Sequence, residues 1–269
     1  MASPRIALIG AGRMGEALAT GWLSARSKPQ INIVDPEPSD LILAMVEDNA
    51  ARLGLNQAPE ATDIVVVAVK PQIFAEAAEN IQAWIGPDTL VLSIMAGIRL
   101  KALAASLGTT RIIRAMPNTP GAIGAGITAL CAPEDCLKKD LTLANRLLTP
   151  LGRVVGPISE ALFSSVTAVS GSGPAYVFML VEALAGAAEG EGIAPDLAET
   201  LARETIIGAA ALLEDSGESA AALRKAVASK GGVTEAALDI LMRGDGMPSL
   251  MREAVRAAAA RERALSAGS

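Results

Sequence analysis

The chain has 269 residues, of which 51% are hydrophobic, and a mean hydropathy of +0.39; this suits one large or two ordinary domains around a sizeable core and excludes disorder for most of the length. A formal net charge of −6 and a pI near 4.9 exclude a general phosphate-backbone binder, because nucleic-acid surfaces need clustered Lys and Arg. With no histidine anywhere, imidazole proton transfer is excluded and no metal set forms around Cys131 and Cys136, which read as two reduced thiols. The first residues lack the basic stretch and apolar run of a leader, and the later apolar stretches read as interrupted too early to span a bilayer. A cytoplasmic protein with neither nucleic-acid nor membrane partners is expected.

From Arg5 to Asp35 the elements read as one device: an apolar strand Ile6-Ala7-Leu8-Ile9, the turn Gly10-Ala11-Gly12-Arg13-Met14-Gly15, a helix, a short strand Ile31-Asn32-Ile33-Val34, then Asp35. In such a turn Gly10 permits the sharp exit from the strand, Gly12 lets backbone approach a pyrophosphate, and Gly15 lets the helix pack closely, while the helix start offers free N–H groups to phosphates. Asp35 falls 20 positions after Gly15, the spacing at which a carboxylate accepts from a ribose 2′-hydroxyl. Gly10, Ala11, Gly12, Arg13, Met14 and Asp35 are therefore candidate contacts to a dinucleotide.

Next come a helix predicted over 39–53, an all-apolar strand over 64–69 closed by Lys70-Pro71, helical spacing over 74–85, a buried strand over 89–94, a short helix over 100–107 and a strand over 111–115. Uninterrupted apolar strands alternating with helices predict a doubly wound, mostly parallel sheet covered on both faces, an α/β fold. Ligands in such folds lie beyond the carboxyl ends of the strands, so the residues there are candidates: Ala68, Val69, Lys70 and Pro71; Ala96 and Gly97; and Asn118, which has both a donor and an acceptor for a nicotinamide. Pro, Gly and Asn also dominate ordinary turns, and that reading stays open for each loop.

Near 151–158 the pattern changes, and beyond it only helical stretches are read, over 174–191, 195–214, 220–228, 234–242 and 248–265. Pro174 and Pro195 sit where a first turn tolerates proline, and Gly192 where a helix stops in a left-handed residue. The expected division is a dinucleotide domain over 1–157 and an all-helical domain over 158–269. Stretches such as 206–213 are apolar on more than one face, and a domain of roughly 110 residues has little interior in which to hide five such helices; helix exchange across a homodimer is the natural solution. Within this half, Ser229-Lys230-Gly231-Gly232-Val233-Thr234 precedes a helix and offers N–H groups and a hydroxyl to a small carboxylate, or else is an ordinary N-cap. Ser170-Gly171-Ser172-Gly173-Pro174-Ala175-Tyr176 is a second such junction, and the sequence does not say whether Tyr176 meets ligand or core.

Taken in order, the turn from Gly10 to Gly15, Ala68-Val69-Lys70-Pro71-Gln72, Ser93 through Ile98, Asn118-Thr119-Pro120, Ser170 through Tyr176 and Ser229 through Leu238 resemble pyrroline-5-carboxylate reductase over nearly the whole chain. The resemblance implies a Rossmann domain followed by a helical dimerisation domain. It also implies the last step of proline biosynthesis, hydride transfer from NAD(P)H to the cyclic imine carbon of 1-pyrroline-5-carboxylate. By the same resemblance Ser229, Gly231, Gly232, Val233 and Thr234 hold the substrate carboxylate, Thr234 is the catalytic residue near the imine nitrogen, and a partner's helical domain completes the site. Lys230 and Val233 depart from the commonest family pattern at that turn. Asp35 would repel the 2′-phosphate of NADPH, and no arginine follows in Pro36-Glu37-Pro38-Ser39, so the residue chemistry leans towards NADH, although Arg13 could reach an extra phosphate. The lack of histidine suits an imine, which can bind already protonated, better than a carbonyl. A hydroxyacid dehydrogenase of the same build would want a lysine on a second-domain helix, and neither Lys225 nor Lys230 is a convincing counterpart.

Overall fold

The structure is a computed structural model that describes residues 3–25, 28–54 and 62–267. Its contacts gather the chain into two bodies, Met1–Ser172 with Ala258–Ser269, and Gly173–Ala257.

In the first body every strand that sequence reading placed is present: β1 (Arg5–Ile9), β2 (Gln30–Val34), β4 (Ile64–Val67), β5 (Leu90–Ser93) and β6 (Ile112–Met116), with a two-residue β3 (Arg52–Leu53) at the edge. They belong to one eight-stranded sheet in the order β3-β2-β1-β4-β5-β6-β7-β8, where β7 is Gly126–Cys131 and β8 is Gly152–Val155. All pairs are parallel except β6–β7, in which Ala115 stands opposite Leu130. Helices α1 (Arg13–Ser24), α2 (Asp40–Glu47), α3 (Phe74–Gln82), α4 (Leu100–Leu107) and α5 (Lys138–Leu148) connect the strands.

The period-two geometry of a strand explains why these strands are apolar throughout. Ile6, Leu8, Val66 and Leu92 face one core with Leu18 and Trp22, whereas Ala7, Ile9, Val65 and Val91 face the other with Ile81, Trp84 and Leu103. Trp22 donates its indole N–H to the Leu147 carbonyl at 2.7 Å, and the Trp84 carbonyl accepts from the Thr62 hydroxyl at 2.6 Å.

Two expectations need correction. The helix predicted over 39–53 stops at Glu47: Asn49 takes a left-handed φ of 54°, the Ala50 and Ala51 N–H groups both donate to the Met45 carbonyl, and Arg52–Leu53 turns into the sheet. The sheet also runs on past residue 115 through β7, α5 and β8. These elements carry shorter apolar runs, so their period was not distinctive in sequence.

The first body also holds α6 (Glu160–Val166), which runs on into a π-helical turn (Thr167–Gly171). In the second body, α7 (Gly173–Gly190) packs on α8 (Pro195–Ser216), followed by α9 (Ala220–Ala226), α10 (Val233–Leu241) and α11 (Met247–Ala267), whose last turns belong to the first body. Gly192 ends the first hairpin helix at φ 88°, with the Ile193 N–H returning to the Ala188 carbonyl. Only Ala198 and Ala202 are buried among the described apolar residues of this body, while Phe178 and Ile207 stand 59% and 54% exposed. The helical stretch Glu160–Gly190 is long and apolar enough to cross a bilayer by length and composition, which corrects the expectation that every apolar run is interrupted too early. The same composition marks a helix that packs against other protein.

Candidate active site

The strand order reverses direction between β1 and β4, the point at which doubly wound sheets open a crevice for ligands. The loops after these two strands meet there. Gly10 has φ +89°, and a Cβ on it would lie 2.9 Å from the Ala68 carbonyl carbon and the Val69 nitrogen, so only glycine allows the turn. A Cβ on Gly15 would stand 2.5 Å from the Gly10 oxygen, whereas one on Gly12 would meet nothing within 4 Å. Two glycines are thus packed against protein and the third opens outward. Gly12 caps α1 without a side-chain hydrogen bond, so no cap side chain occupies the first-turn N–H groups, and Arg13 is exposed beside it. These features fit a pyrophosphate group: a glycine face with room in front of it, at a helix N-terminus.

Asp35, at the end of β2, joins the same cluster. One carboxylate oxygen accepts from the Ala11 N–H at 2.6 Å and the other from the Glu37 N–H at 2.9 Å. The negative charge is therefore held against the glycine turn, with no arginine in the segment that follows. Sequence reading did not anticipate the link behind it, in which the Ser39 hydroxyl, the N-cap of α2, donates to Glu16 of α1.

After β4, Ala68 and Val69 are half-buried, Lys70 is exposed and Pro71 opens a 3₁₀ turn (Pro71–Ile73). After β5, Ala96 is half-buried and Gly97 turns left-handed at φ +76°, where an added Cβ would stand 3.6 Å from the Leu265 side chain on the last turns of α11. Asn118, after β6, is already engaged: its amide nitrogen donates to the Ser170 carbonyl at 3.1 Å and its oxygen accepts from the Ile127 N–H at 2.9 Å. One N–H and one lone pair remain for a ligand, so its first duty is to hold the loop.

The Ser229–Thr234 turn lies in the helical body. Gly231 is left-handed at φ +70°, Gly232 caps α10 with no side-chain hydrogen bond, and its N–H returns to the Ser229 carbonyl at 2.9 Å. Val233 is 91% exposed. Lys230 is exposed, and Thr234 is half-buried in the first turn of α10. Sequence reading missed Glu235, whose carboxylate accepts from the Gly231 N–H at 2.6 Å. An acidic residue in the first turn after a glycine pair is the signal that would have found it. The turn thus already holds a carboxylate of its own on one N–H.

Both cysteines are free thiols, and burial pushes both upward, Cys131 to about 11. Neither is a ready nucleophile at neutral pH.

Residues 160–265 match the family model described as pyrroline-5-carboxylate reductase dimerisation, and residues 5–97 match one described as NADP oxidoreductase coenzyme F420-dependent. A pyrroline-5-carboxylate reductase of Pseudomonas aeruginosa is 36% identical over 271 residues, covering 97% of this chain and 96% of that protein. Among solved structures, a pyrroline-5-carboxylate reductase from Coxiella burnetii is 32% identical with a TM-score of 0.87, over 98% of this chain and 99% of that one. A Plasmodium falciparum pyrroline carboxylate reductase with NADP bound is 26% identical with a TM-score of 0.80, over 99% of both chains. With the glycine cradle at one end of the sequence and the dimerisation match at the other, the chain belongs to the pyrroline-5-carboxylate reductase family.

Proposed function

We infer that the protein reduces 1-pyrroline-5-carboxylate to L-proline with NAD(P)H, the last step of proline biosynthesis. It would work in the cytoplasm, where its two free thiols stay reduced, as a homodimer or higher homo-oligomer built through the C-terminal helices. The observation that carries the reading is the glycine cradle at the switch point of a chain that resembles these reductases from end to end.

Residues 1–157 would serve the cofactor and 158–269 the substrate and the dimer. Gly10, Ala11, Gly12, Arg13, Met14 and Asp35 would hold the pyrophosphate and ribose, with Ala68, Val69, Lys70, Pro71, Ala96, Gly97 and Asn118 along the nicotinamide half. When bound, the cofactor supplies the hydride. The chain's own share is positioning: the N–H groups of Gly231, Gly232 and Val233, with Ser229 beside them, would pin the substrate carboxylate once the Gly231 N–H leaves Glu235 and the Gly232 N–H leaves the Ser229 carbonyl, and the Thr234 hydroxyl would orient the ring nitrogen. No histidine is available as an acid, and an imine that enters already protonated needs none.

Asp35 supports NADH as the preferred cofactor. Its carboxylate is fixed by two backbone N–H groups at the end of β2, where it would oppose a 2′-phosphate. Initial rates of 1-pyrroline-5-carboxylate-dependent oxidation of NADH and of NADPH test both points. Turnover faster with NADH is expected; preference for NADPH would shift the weight to Arg13 and overturn the Asp35 reading, and no turnover with either would overturn the function.

A further inference from the structure

Arg114, on β6, is among the largest fully buried side chains of the described residues, and its guanidinium lies against α6. A buried guanidinium loses several kcal/mol of hydration unless a partner compensates. Here the partner is Glu160, the first residue of α6, whose Oε1 accepts from Arg114 Nη1 at 2.7 Å, while the guanidinium carbon lies 4.4 Å from the centre of the Phe163 ring on the same helix. Arg114 is 2% exposed and Glu160 32%; Nε and Nη2 of Arg114 have no hydrogen-bond partner among the described residues. So costly an arrangement is an odd way to fill a core, since an apolar side chain of that volume would serve stability at least as well.

Glu160 makes a second bond, and it explains the first. The same Oε1 accepts from the Leu100 N–H at 2.8 Å. Leu100 is the first residue of α4, and its N-cap, Arg99, makes no side-chain capping bond. A carboxylate from 60 residues away therefore caps the helix into which the Met95-Ala96-Gly97 segment leads. Arg114 holds that carboxylate from below. Further along the same helical run, the Ser170 carbonyl is tied to Asn118, and a Cβ on Gly171 would stand 2.8 Å from the Met116 side chain. The segments after β5 and after β6, both at the ligand edge of the sheet, are thus each fastened to residues 160–171.

We propose that Arg114 and Glu160 are positioning residues for the cofactor: the pair sets the height of the 95–99 segment over the sheet edge by capping α4 from α6. The proposal rests on the reading of Ala96 and Gly97 as cofactor contacts. It predicts that the pair matters to cofactor affinity beyond its effect on folding, and that a cation at position 114 is required because it pairs with the Glu160 carboxylate and holds it against the start of α4.

The test uses the full chain and three variants, Arg114→Met, Arg114→Lys and Glu160→Gln. NADH affinity is read by fluorescence titration without substrate, hydrogen exchange is read at the Leu100 amide without cofactor, and thermal midpoints are taken alongside. Arg114→Met is expected to weaken NADH binding about tenfold and to speed Leu100 exchange by at least as much, with Arg114→Lys recovering most of both. Glu160→Gln, a change at a part-exposed site, gives a smaller shift in the same two readouts and serves where Arg114→Met does not fold. Lowered thermal midpoints with unchanged NADH affinity and unchanged Leu100 exchange would overturn the proposal and leave the pair purely structural. Faster Leu100 exchange with unchanged NADH affinity would overturn it too, by removing the 95–99 segment from the cofactor site. Failure of the unaltered protein to bind NADH or NADPH would instead overturn the cofactor reading on which the proposal stands.

Discussion

The sheet body and the helical body spend their apolar residues in opposite ways. In the first, β1, β4 and β5 are buried almost to the last side chain, and both faces of the sheet close against helices of the same body. In the second, two alanines are the only buried apolar residues described, while Phe178, Met179, Ile207 and Leu212 stand half or more exposed. Between α7 and α8 an open groove of about 810 Å³ is lined by Val177, Phe178, Val181, Ile206 and Ile207. A single copy of the chain thus completes one core and leaves the apolar faces of the other uncovered, and the dimerisation match over residues 160–265 makes a second copy the expected cover. Cofactor binding should therefore depend on the integrity of one chain, and substrate turnover on that of two.

The largest separation of the two is expected from Gly15→Val. Its side chain would start 2.5 Å from the Gly10 oxygen, and overpacking at a turn of this kind should weaken NADH binding by roughly a hundredfold or more. Titration of NADH fluorescence measures it, and light scattering should show the oligomer unchanged. The converse is the double substitution Phe178→Glu with Ile207→Glu. Each side chain would contribute about 1.5–3 kcal/mol when buried against a partner, so two buried charges should yield monomers. NADH binding by such monomers should survive while turnover is lost; a persistent dimer would show that the apolar faces of α7 and α8 are not the interface. The smallest effect is expected at the substrate turn. Glu235→Gln keeps a hydrogen-bond acceptor for the Gly231 N–H but removes the charge that competes with an incoming carboxylate, so the KM for 1-pyrroline-5-carboxylate should fall about two- to fivefold with kcat unchanged. A raised KM would mean that Glu235 shapes the turn rather than competing for it.

Much of the sheet body was legible because burial on both faces imposes an unbroken apolar run, and residues 64–67 and 90–93 announce themselves. The glycine turn was legible because its three glycines have different steric duties in a fixed order. What escaped was non-local. The antiparallel β7 follows a 3₁₀ turn (Thr119–Ile123) and returns along β6, a topology no local period encodes. Asn118 looked like a free amide, yet its partners are 9 and 52 residues away. Glu160 gave no sign in sequence that it caps a helix beginning at Leu100, since a capping acid is recognised only when it stands within the first turn. The helical body was legible as helix but not as surface: its Ala- and Leu-rich stretches say that something must cover them, and only the exposures show which faces wait.

The two tryptophans have a practical consequence for the hand that measures all this. Trp22 and Trp84 lie on opposite sides of one sheet, each nearly sealed from solvent, and the chain has no others. Indole emission is therefore a private signal of the sheet body, read from both of its cores at once and silent about residues 173–257. Far-ultraviolet dichroism, dominated by helix, hears the other body as well. If the two melting curves coincide, unfolding is shared across the whole chain; if the dichroism falls first, the distance between the curves measures how far the helical half can come apart while the nucleotide half still stands.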